Sequence, residues 1–263
     1  MTDRLSLSDD EITRYARQLI LPEIGDDGQD AIRATKLCVI GAGGLGVPVI
    51  MLAACAGFGH ISILDDDVIE RTNLNRQFIY TPDEAGRAKA DIATKKAQDF
   101  NADITITAHP MRFSEKTADD IIASHDIIID ASDNPATRYL ANDIAVKHQK
   151  AHIFLSAIRF EGMCAVFAPH LSQETNEKGI CYRCLFPHQP EDGSVPNCAT
   201  VGVVAPITTS IAAIGVIEAI KLVTASGQIG KSLLNHLLLY DLLHHQHDVI
   251  KGKHDPSCPT CGA

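Results

Sequence analysis

The chain has 263 residues, a formal net charge of −10 and eight cysteines. That length holds one large domain or two small ones around a substantial core. The acidic balance excludes a mainly electrostatic hold on nucleic acid or anionic lipid. A hydrophobic content of 45% and a charged content of 21% exclude a disordered chain.

The N-terminus has no basic start followed by an apolar run, so no secretory signal is expected. A soluble cytoplasmic protein is expected, in which thiols stay reduced and cysteine serves metal or chemistry. Residues 4–21 form a helical pattern, with Ser8 as N-cap and Glu11 completing a capping box. Ile12, Tyr15, Leu19 and Ile20 mark its apolar stripe, with Tyr15 read as a core or staple residue, and Pro22 ends it. Residues 36–40 read as a strand that runs into a glycine-rich turn, and 45–57 as an apolar helix. A second strand over 60–64 ends at Asp65-Asp66-Asp67. A helix over 86–101, a strand over 103–108 and a buried parallel strand over 126–129 follow. Asp133-Asn134-Pro135 then opens a helix. Two β-branched stretches, 153–158 and 164–167, are split by Glu161-Gly162. Residues 169–200 are rich in Pro, Gly, Asn and charge, too long for a simple connection and therefore read as functional or partly mobile. The apolar stretch 201–225 contains Glu218 and Lys221 and reads as a buried helix, with no membrane span expected. Residues 235–242 read as a late strand before a polar, His-rich tail. Strands alternating with helices to about residue 150 predict an α/β fold, a Rossmann-like, mostly parallel, doubly wound sheet with an antiparallel C-terminal extension.

Gly41, Gly43 and Gly46 fit G-x-G-x-x-G between a strand and a helix. The first allows the tight turn, the second lets backbone approach a phosphate, and the third lets helix and strand pack closely. Asp65 stands where a ribose hydroxyl is held. The motif does not choose the nucleotide, and NAD is its default. Arg76, Lys89 and Asp133 argue otherwise, because two cations and a carboxylate near strand ends suit a triphosphate with Mg²⁺. Taken singly, Arg76 and Lys89 read as solvated cations and Asp133 as an N-cap.

Together the blocks resemble the ThiF/MoeB/HesA family of ubiquitin-activating-like adenylyltransferases. They are Arg14-Tyr15-Ala16-Arg17-Gln18, Gly25 with Gly28-Gln29, Gly41-Ala42-Gly43-Gly44-Leu45-Gly46, Asp65-Asp66-Asp67 and Asn73-Leu74-Asn75-Arg76-Gln77. Further on come Gly86 with Lys89, Asp133-Asn134 with Thr137-Arg138, Cys181 to Pro187, Glu218 to Leu222, and Cys258-Pro259-Thr260-Cys261-Gly262. One departure is Asn101-Ala102-Asp103, where many members have Asn-Pro, and only a turn is expected to change.

The resemblance implies ATP- and Mg²⁺-dependent adenylation of the C-terminal Gly-Gly carboxylate of a small ubiquitin-fold sulfur carrier, with release of pyrophosphate. Thiamine, molybdopterin or a related sulfur route is the implied setting. Gly41, Gly43, Gly44 and Gly46 would line the phosphate loop, and Asp65 would hold the ribose. Asp67 stands at the family's strand-end acid. Asn73, Arg76 and Lys89 would contact phosphates, and Asp133 would hold Mg²⁺. Arg17 would reach into the neighbouring subunit's site, which implies a homodimer. The sequence ends at Ala263 without an appended rhodanese-like domain, so a separate donor, a cysteine desulfurase or rhodanese-like protein, is expected. Residues 1–263 are then a single unit, with 1–150 as the nucleotide-binding half and 151–263 as the carrier-binding half.

The cysteines divide by spacing. Cys181 with Cys184, and Cys258 with Cys261, are two C-x-x-C pairs suited to one structural, tetrahedral Zn²⁺ that clamps the tail. Cys198, in the long polar loop, is a candidate for sulfur chemistry, against a spare thiol. Cys38, Cys55 and Cys164 are read as core, and His236, His244, His245, His247 and His254 as a solvated tail. Competing readings are an NAD-dependent oxidoreductase, a non-catalytic docking partner for a ubiquitin-like protein, and an enzyme that adenylates another carboxylate.

Overall fold

The computed structural model describes residues 7–171, 178–191, 194, 198–224 and 231–262. Near the N-terminus, α1 (Asp9–Leu19) carries the expected capping box, in which Ser8 and Glu11 bond each other's backbone reciprocally. The helix α2 (Gly25–Ala34) follows; no periodicity in the sequence marked it. The alternating series is then β1 (Lys36–Ile40), α3 (Gly46–Ala56), β2 (His60–Leu64), α4 (Lys89–Phe100) and β3 (Thr105–His109). It continues as α5 (Glu115–Ala123), β4 (Ile127–Asp130), α6 (Pro135–Lys147) and β5 (Ala151–Ile158). The antiparallel part is β6 (Glu161–Phe167), β7 (His236–Asp241) and β8 (Gln246–Lys251). Between β6 and β7 lie the short α7 (Tyr182–Leu185) and α8 (Cys198–Val201), and the long α9 (Ala205–Val223).

All eight strands form one sheet in the order β3-β2-β1-β4-β5-β6-β7-β8. β1 to β5 pair in parallel and β5 to β8 antiparallel. Right-handed crossovers of a twisted chain explain the order: leaving β1 in two directions puts helices on both faces. α3, α4 and α9 pack on one face around Val39, Ile63, Ile129 and Leu155. α5 and α6 cover the other around Cys38, Ile40, Leu64 and Ile128. The continuous apolar runs of β1, β2 and β4 reflect burial on both faces.

α9 is long and apolar enough to cross a membrane by length and composition. Here Ile207, Ile211, Ala212 and Ala219 are buried, and the helix packs against α3, β5 and β6.

His244, His245 and His247 are solvated as expected, and residues 246–251 form β8 against β7. Two expectations are corrected. The helix expected from residue 86 begins at Lys89, because Gly86 sits at φ +87° in a turn. Cys55 is exposed, unlike buried Cys38 and Cys164. Its helix is apolar on every side, so sequence gave no phase by which to pick the outward position. Tyr15 is buried, and its hydroxyl accepts a 2.9 Å hydrogen bond from Asn101. Asn101 also donates to the Ala54 carbonyl, so this residue ties α1, α3 and α4 together.

Candidate nucleotide site and cysteine cluster

The register brings three loops to one edge. Ile40 lies level with Leu64 on one side and with Asp130 on the other. The residues that follow are the glycine turn, Asp65 and the Ala131–Asn134 loop. The crevice falls at the switch between β1 and β4, the position where open α/β sheets bind ligands. It is a cavity of about 480 Å³ lined by Gly41, Gly43, Gly44, Asp65, Asp67, Asn73, Arg76, Lys89 and Asp133. Nearly every nucleotide-site residue read from the sequence therefore faces one space.

The glycines differ in what demands them. Gly41 has φ +96°, and a Cβ on Gly46 would lie 1.8 Å from the Gly41 carbonyl oxygen. Those two are required by the turn and by helix–strand packing. A Cβ on Gly43 would meet only the Gln77 amide nitrogen, at 3.7 Å. No protein atom demands glycine there. The open approach to the backbone there suits a phosphate at the N-terminus of α3.

Asp65 pins this turn. Its Oδ2 accepts from the Ala42 N–H at 2.7 Å, and its Oδ1 from the Asp67 N–H at 2.8 Å. Burial pushes its carboxyl above the usual range, against the Ala42 N–H and the Lys89 ammonium, which pull it down. Beneath, Tyr80 donates to the Ala42 carbonyl at 2.9 Å.

Lys89 begins α4 and is only 5% exposed. Its ammonium meets Asp67 Oδ2 at 2.7 Å, while Asp67 itself is largely exposed. An ammonium has three donors, so this pairing leaves Lys89 capacity for a phosphate. Arg76 Nη1 bonds the Thr72 carbonyl and Asn75 Oδ1, which steadies the guanidinium beside the cavity. Asn73 Oδ1 and Gln77 Oε1 are buried without a hydrogen-bond partner in lining residues. Such orphaned amides are costly unless something polar arrives. Gln77 had no role in the sequence reading; its only signal was its place beside Arg76.

Asn134, not Asp133, caps α6, accepting from the Thr137 N–H at 3.3 Å. The capping alternative for Asp133 is thereby removed. Asp133 is exposed and lines the cavity, and its carboxylate makes no hydrogen bond or ion pair among the described residues. A carboxylate facing a hollow that Arg76, Lys89 and Arg112 also line suits a hard cation such as Mg²⁺ accompanying a phosphate.

Arg17 is exposed on α1 and does not line this cavity. The four clustered cysteines lie far off, across α6. Their sulfurs all lie within 4.8 Å of one another. Cys181 and Cys258 are 3.5 Å apart at sulfur, and Cys184 and Cys261 3.4 Å. Four sulfurs at about 2.3 Å from one tetrahedral ion stand about 3.8 Å apart, so the set fits a closed site. Around it, Tyr182 N–H donates to Asn142, Arg183 grips Asp143 at 2.8 and 2.7 Å, and Thr260 donates to Asp143 at 2.8 Å. The cluster is thus hung on the middle of α6. Cys198 opens α8, but its side chain lies outside the described residues. The scattered histidines join no metal-ligating group among the described residues: His244 pairs with Asp241, and His236 with the Leu234 carbonyl.

Similarity to known proteins agrees with this geometry. The chain is 40% identical over 253 residues to the sulfur carrier protein adenylyltransferase of Thermus thermophilus, covering 96% of this chain and 92% of that one. It is 36% identical to the SAMP-activating enzyme E1 of Haloferax volcanii, over 98% of this chain and 92% of that one. It is 41% identical to the probable adenylyltransferase/sulfurtransferase MoeZ of Mycobacterium tuberculosis, but spans only 63% of that protein. The fold matches E. coli MccB with a TM-score of 0.80 at 20% identity, over 99% of this chain and 77% of that one. The ThiF family profile matches residues 15–260, and the chain belongs to the ThiF family.

Proposed function

We propose that this chain uses ATP and Mg²⁺ to adenylate the C-terminal Gly-Gly carboxylate of a small ubiquitin-fold sulfur carrier. The coarser reading, an adenylyltransferase that activates a sulfur carrier, rests on the relatives: one is named a sulfur carrier protein adenylyltransferase, one a probable adenylyltransferase/sulfurtransferase and one an activating enzyme E1. The observation that carries the finer reading is the Asp133 carboxylate, without a partner among the described residues, sharing one cavity with Lys89 and Arg76. A dinucleotide would leave that trio without a task.

The chemistry follows from charge. The carrier carboxylate is already ionised, so its attack on the α-phosphorus needs no general base. The new bond joins the carboxylate oxygen to phosphorus, the bond to the β-phosphate oxygen breaks, and pyrophosphate leaves with the electron pair. Lys89 and Arg76 offset charge on the phosphates, and the backbone at Gly43 and Gly44 approaches them closely. Asp65 holds the ribose, and Asp67 orients Lys89. Asn73 is placed to turn its amide to the nucleotide. Mg²⁺, held by Asp133, would supply charge neutralisation as phosphate charge builds.

The remaining roles belong to the same proposal. Arg17 completes the site of a second subunit in a homodimer. Cys181, Cys184, Cys258 and Cys261 hold a structural Zn²⁺. Cys198 handles sulfur after adenylation, with sulfur drawn from a separate donor in the cytoplasm. Residues 1–150 act as the nucleotide half, and 151–263 receive the carrier.

ATP–pyrophosphate exchange with a panel of Gly-Gly-ending carriers tests the reading. Exchange is expected with at least one, and its absence with all would sink the proposal. Asp133→Ala should abolish exchange. Cys198→Ala should leave exchange intact and reduce only later sulfur transfer. Binding of NAD but not ATP would favour the oxidoreductase reading instead.

A further inference from the structure

Behind the Asp133 loop lies a buried group of polar residues that the proposed chemistry does not use. Asp130 ends β4 and is completely buried. Its Oδ1 accepts from the Ser132 N–H at 3.0 Å and from the Ser132 hydroxyl at 2.6 Å. Arg138, one turn into α6, donates from Nη2 to the Ser132 carbonyl at 2.9 Å. Ser132 is therefore gripped at its N–H, its hydroxyl and its carbonyl. The next residue is Asp133.

The grip has a firm back. His152 on β5 is 1% exposed and lies 3.5 Å from Asp130 Oδ2, and neither ring nitrogen has a hydrogen-bond partner among the described residues. Its ring is wedged between Phe167 and Tyr182, at centroid distances of 5.9 and 6.5 Å. Arg138 lies over the Phe154 ring at 5.1 Å. Burial alone would raise the Asp130 carboxyl. His152, Arg138 and the Ser132 hydrogen bonds outweigh it and hold the carboxyl below the usual range, so the carboxylate stays charged. A buried, charged acceptor makes stronger hydrogen bonds than a neutral one.

We infer that Asp130 is a positioning residue for Asp133: through Ser132, with Arg138 as the opposing jaw, it fixes where the Asp133 carboxylate meets the metal on the nucleotide. The inference rests on the reading of Asp133 given above. An exposed carboxylate on a loop has many orientations. A metal ion gains affinity when that freedom is removed beforehand, and outer groups that orient a ligand typically change metal affinity or activity by about 10- to 100-fold when replaced. Asp130 never touches the nucleotide; its effect passes through the backbone N–H and the hydroxyl of Ser132, while Arg138 holds the Ser132 carbonyl.

The test needs no carrier. ATP binding to the full chain is measured by calorimetry with Mg²⁺ and again with EDTA, and the ratio of the two affinities is the readout. Asp133→Asn is the reference and should remove most of the Mg²⁺ enhancement; if it does not, the reading of Asp133 fails. Asp130→Asn keeps shape but loses charge, and should cut the enhancement about 10-fold, with ATP affinity in EDTA unchanged within about twofold. Ser132→Ala deletes only the hydroxyl bond of a half-buried residue and should cut it about 3-fold. It decides the matter alone if Asp130→Asn does not fold. The inference is overturned if Asp133→Asn lowers the enhancement while Ser132→Ala and any folded Asp130→Asn keep it. It is equally overturned if both arms fall by the same factor, as they would for a merely structural role.

Discussion

The parallel and antiparallel parts of the sheet hold themselves together by different means. β1, β2 and β4 are buried along nearly their whole length between helices on both faces. β8, at the other edge, is exposed at every residue. Val249 and Ile250 stand out to solvent there, interspersed with Gln246, His247, Asp248 and Lys251. Charges on an edge strand discourage pairing with another sheet, but they bury nothing. The parallel part draws its rigidity from apolar burial, and that rigidity lets it aim backbone at a ligand. The antiparallel part has little to bury at its margin, so it is fastened from outside. The chain leaves β8, and its cysteines 258 and 261 meet 181 and 184.

The strongest way to break this contrast is to open the cysteine cluster. With the proposed Zn²⁺ in the cluster, chelation or Cys258→Ser should lower the melting temperature by roughly 10 °C or more, since binding of a structural metal is part of the folding free energy. Hydrogen exchange should show where: amides of β7 and β8 should lose protection while β1, β2 and β4 keep theirs. Unchanged stability after complete metal removal would show that the tail needs no clamp. The next effect sharpens the other side. Gly46→Ala puts a methyl into the Gly41 carbonyl and should cost more than about 3 kcal/mol, read by denaturant unfolding. Gly43→Ala should cost less than about 1 kcal/mol yet weaken ATP binding about 10-fold, because the new methyl enters space meant for phosphate. Equal stability losses at the two glycines would mean that the turn, not the ligand, demands both.

The parallel part was the more legible in sequence for the same physical reason. Strands buried on both faces are continuous apolar runs, and the glycine turn is a dense local signal; in the antiparallel part only the two C-x-x-C pairs are as plain. β8 has no such signal. Its polar residues are held as a strand by β7, from Leu237–Ile250 to Asp241–Gln246, and that is tertiary information. α5 is acidic and short, and α2 begins at Gly25, so neither announces itself. At the site, residue types were readable but their commitments were not. Asp133 and Asn134 are adjacent polar residues before a proline, and either suits a cap. Only the fold shows that Asn134 takes the cap and leaves Asp133 without a partner among the described residues. Likewise Asp130 and His152 fall just outside the strands expected over 126–129 and 153–158, and their approach across β4 and β5 appears only once the sheet is assembled.

The smallest predicted effect lies at the seam between the two parts. Asp143 on α6 accepts from both Arg183 nitrogens and from Thr260, so one carboxylate joins the helix to both cysteine pairs. Arg183 also lies over Tyr139, 4.6 Å from the ring centroid, and Tyr139 donates to the carbonyls of Phe186 and His188. Burial raises the Asp143 carboxyl, but Arg183 and Thr260 more than reverse it, so the group is charged at neutral pH. The pair is partly exposed, at 20% for Arg183 and 34% for Asp143, and solvent screening limits its worth. Asp143→Ala should therefore cost about 1 kcal/mol, a fall in melting temperature of roughly 3 °C. A double-mutant cycle with Arg183→Ala isolates the pair, and the coupling should be about 0.5–1 kcal/mol. If the metal is the main fastening, that coupling should persist in the metal-bound protein, and Asp143→Ala should retain its zinc. Loss of metal from Asp143→Ala would reverse the order of causes, making α6 the clamp and the cysteines its consequence.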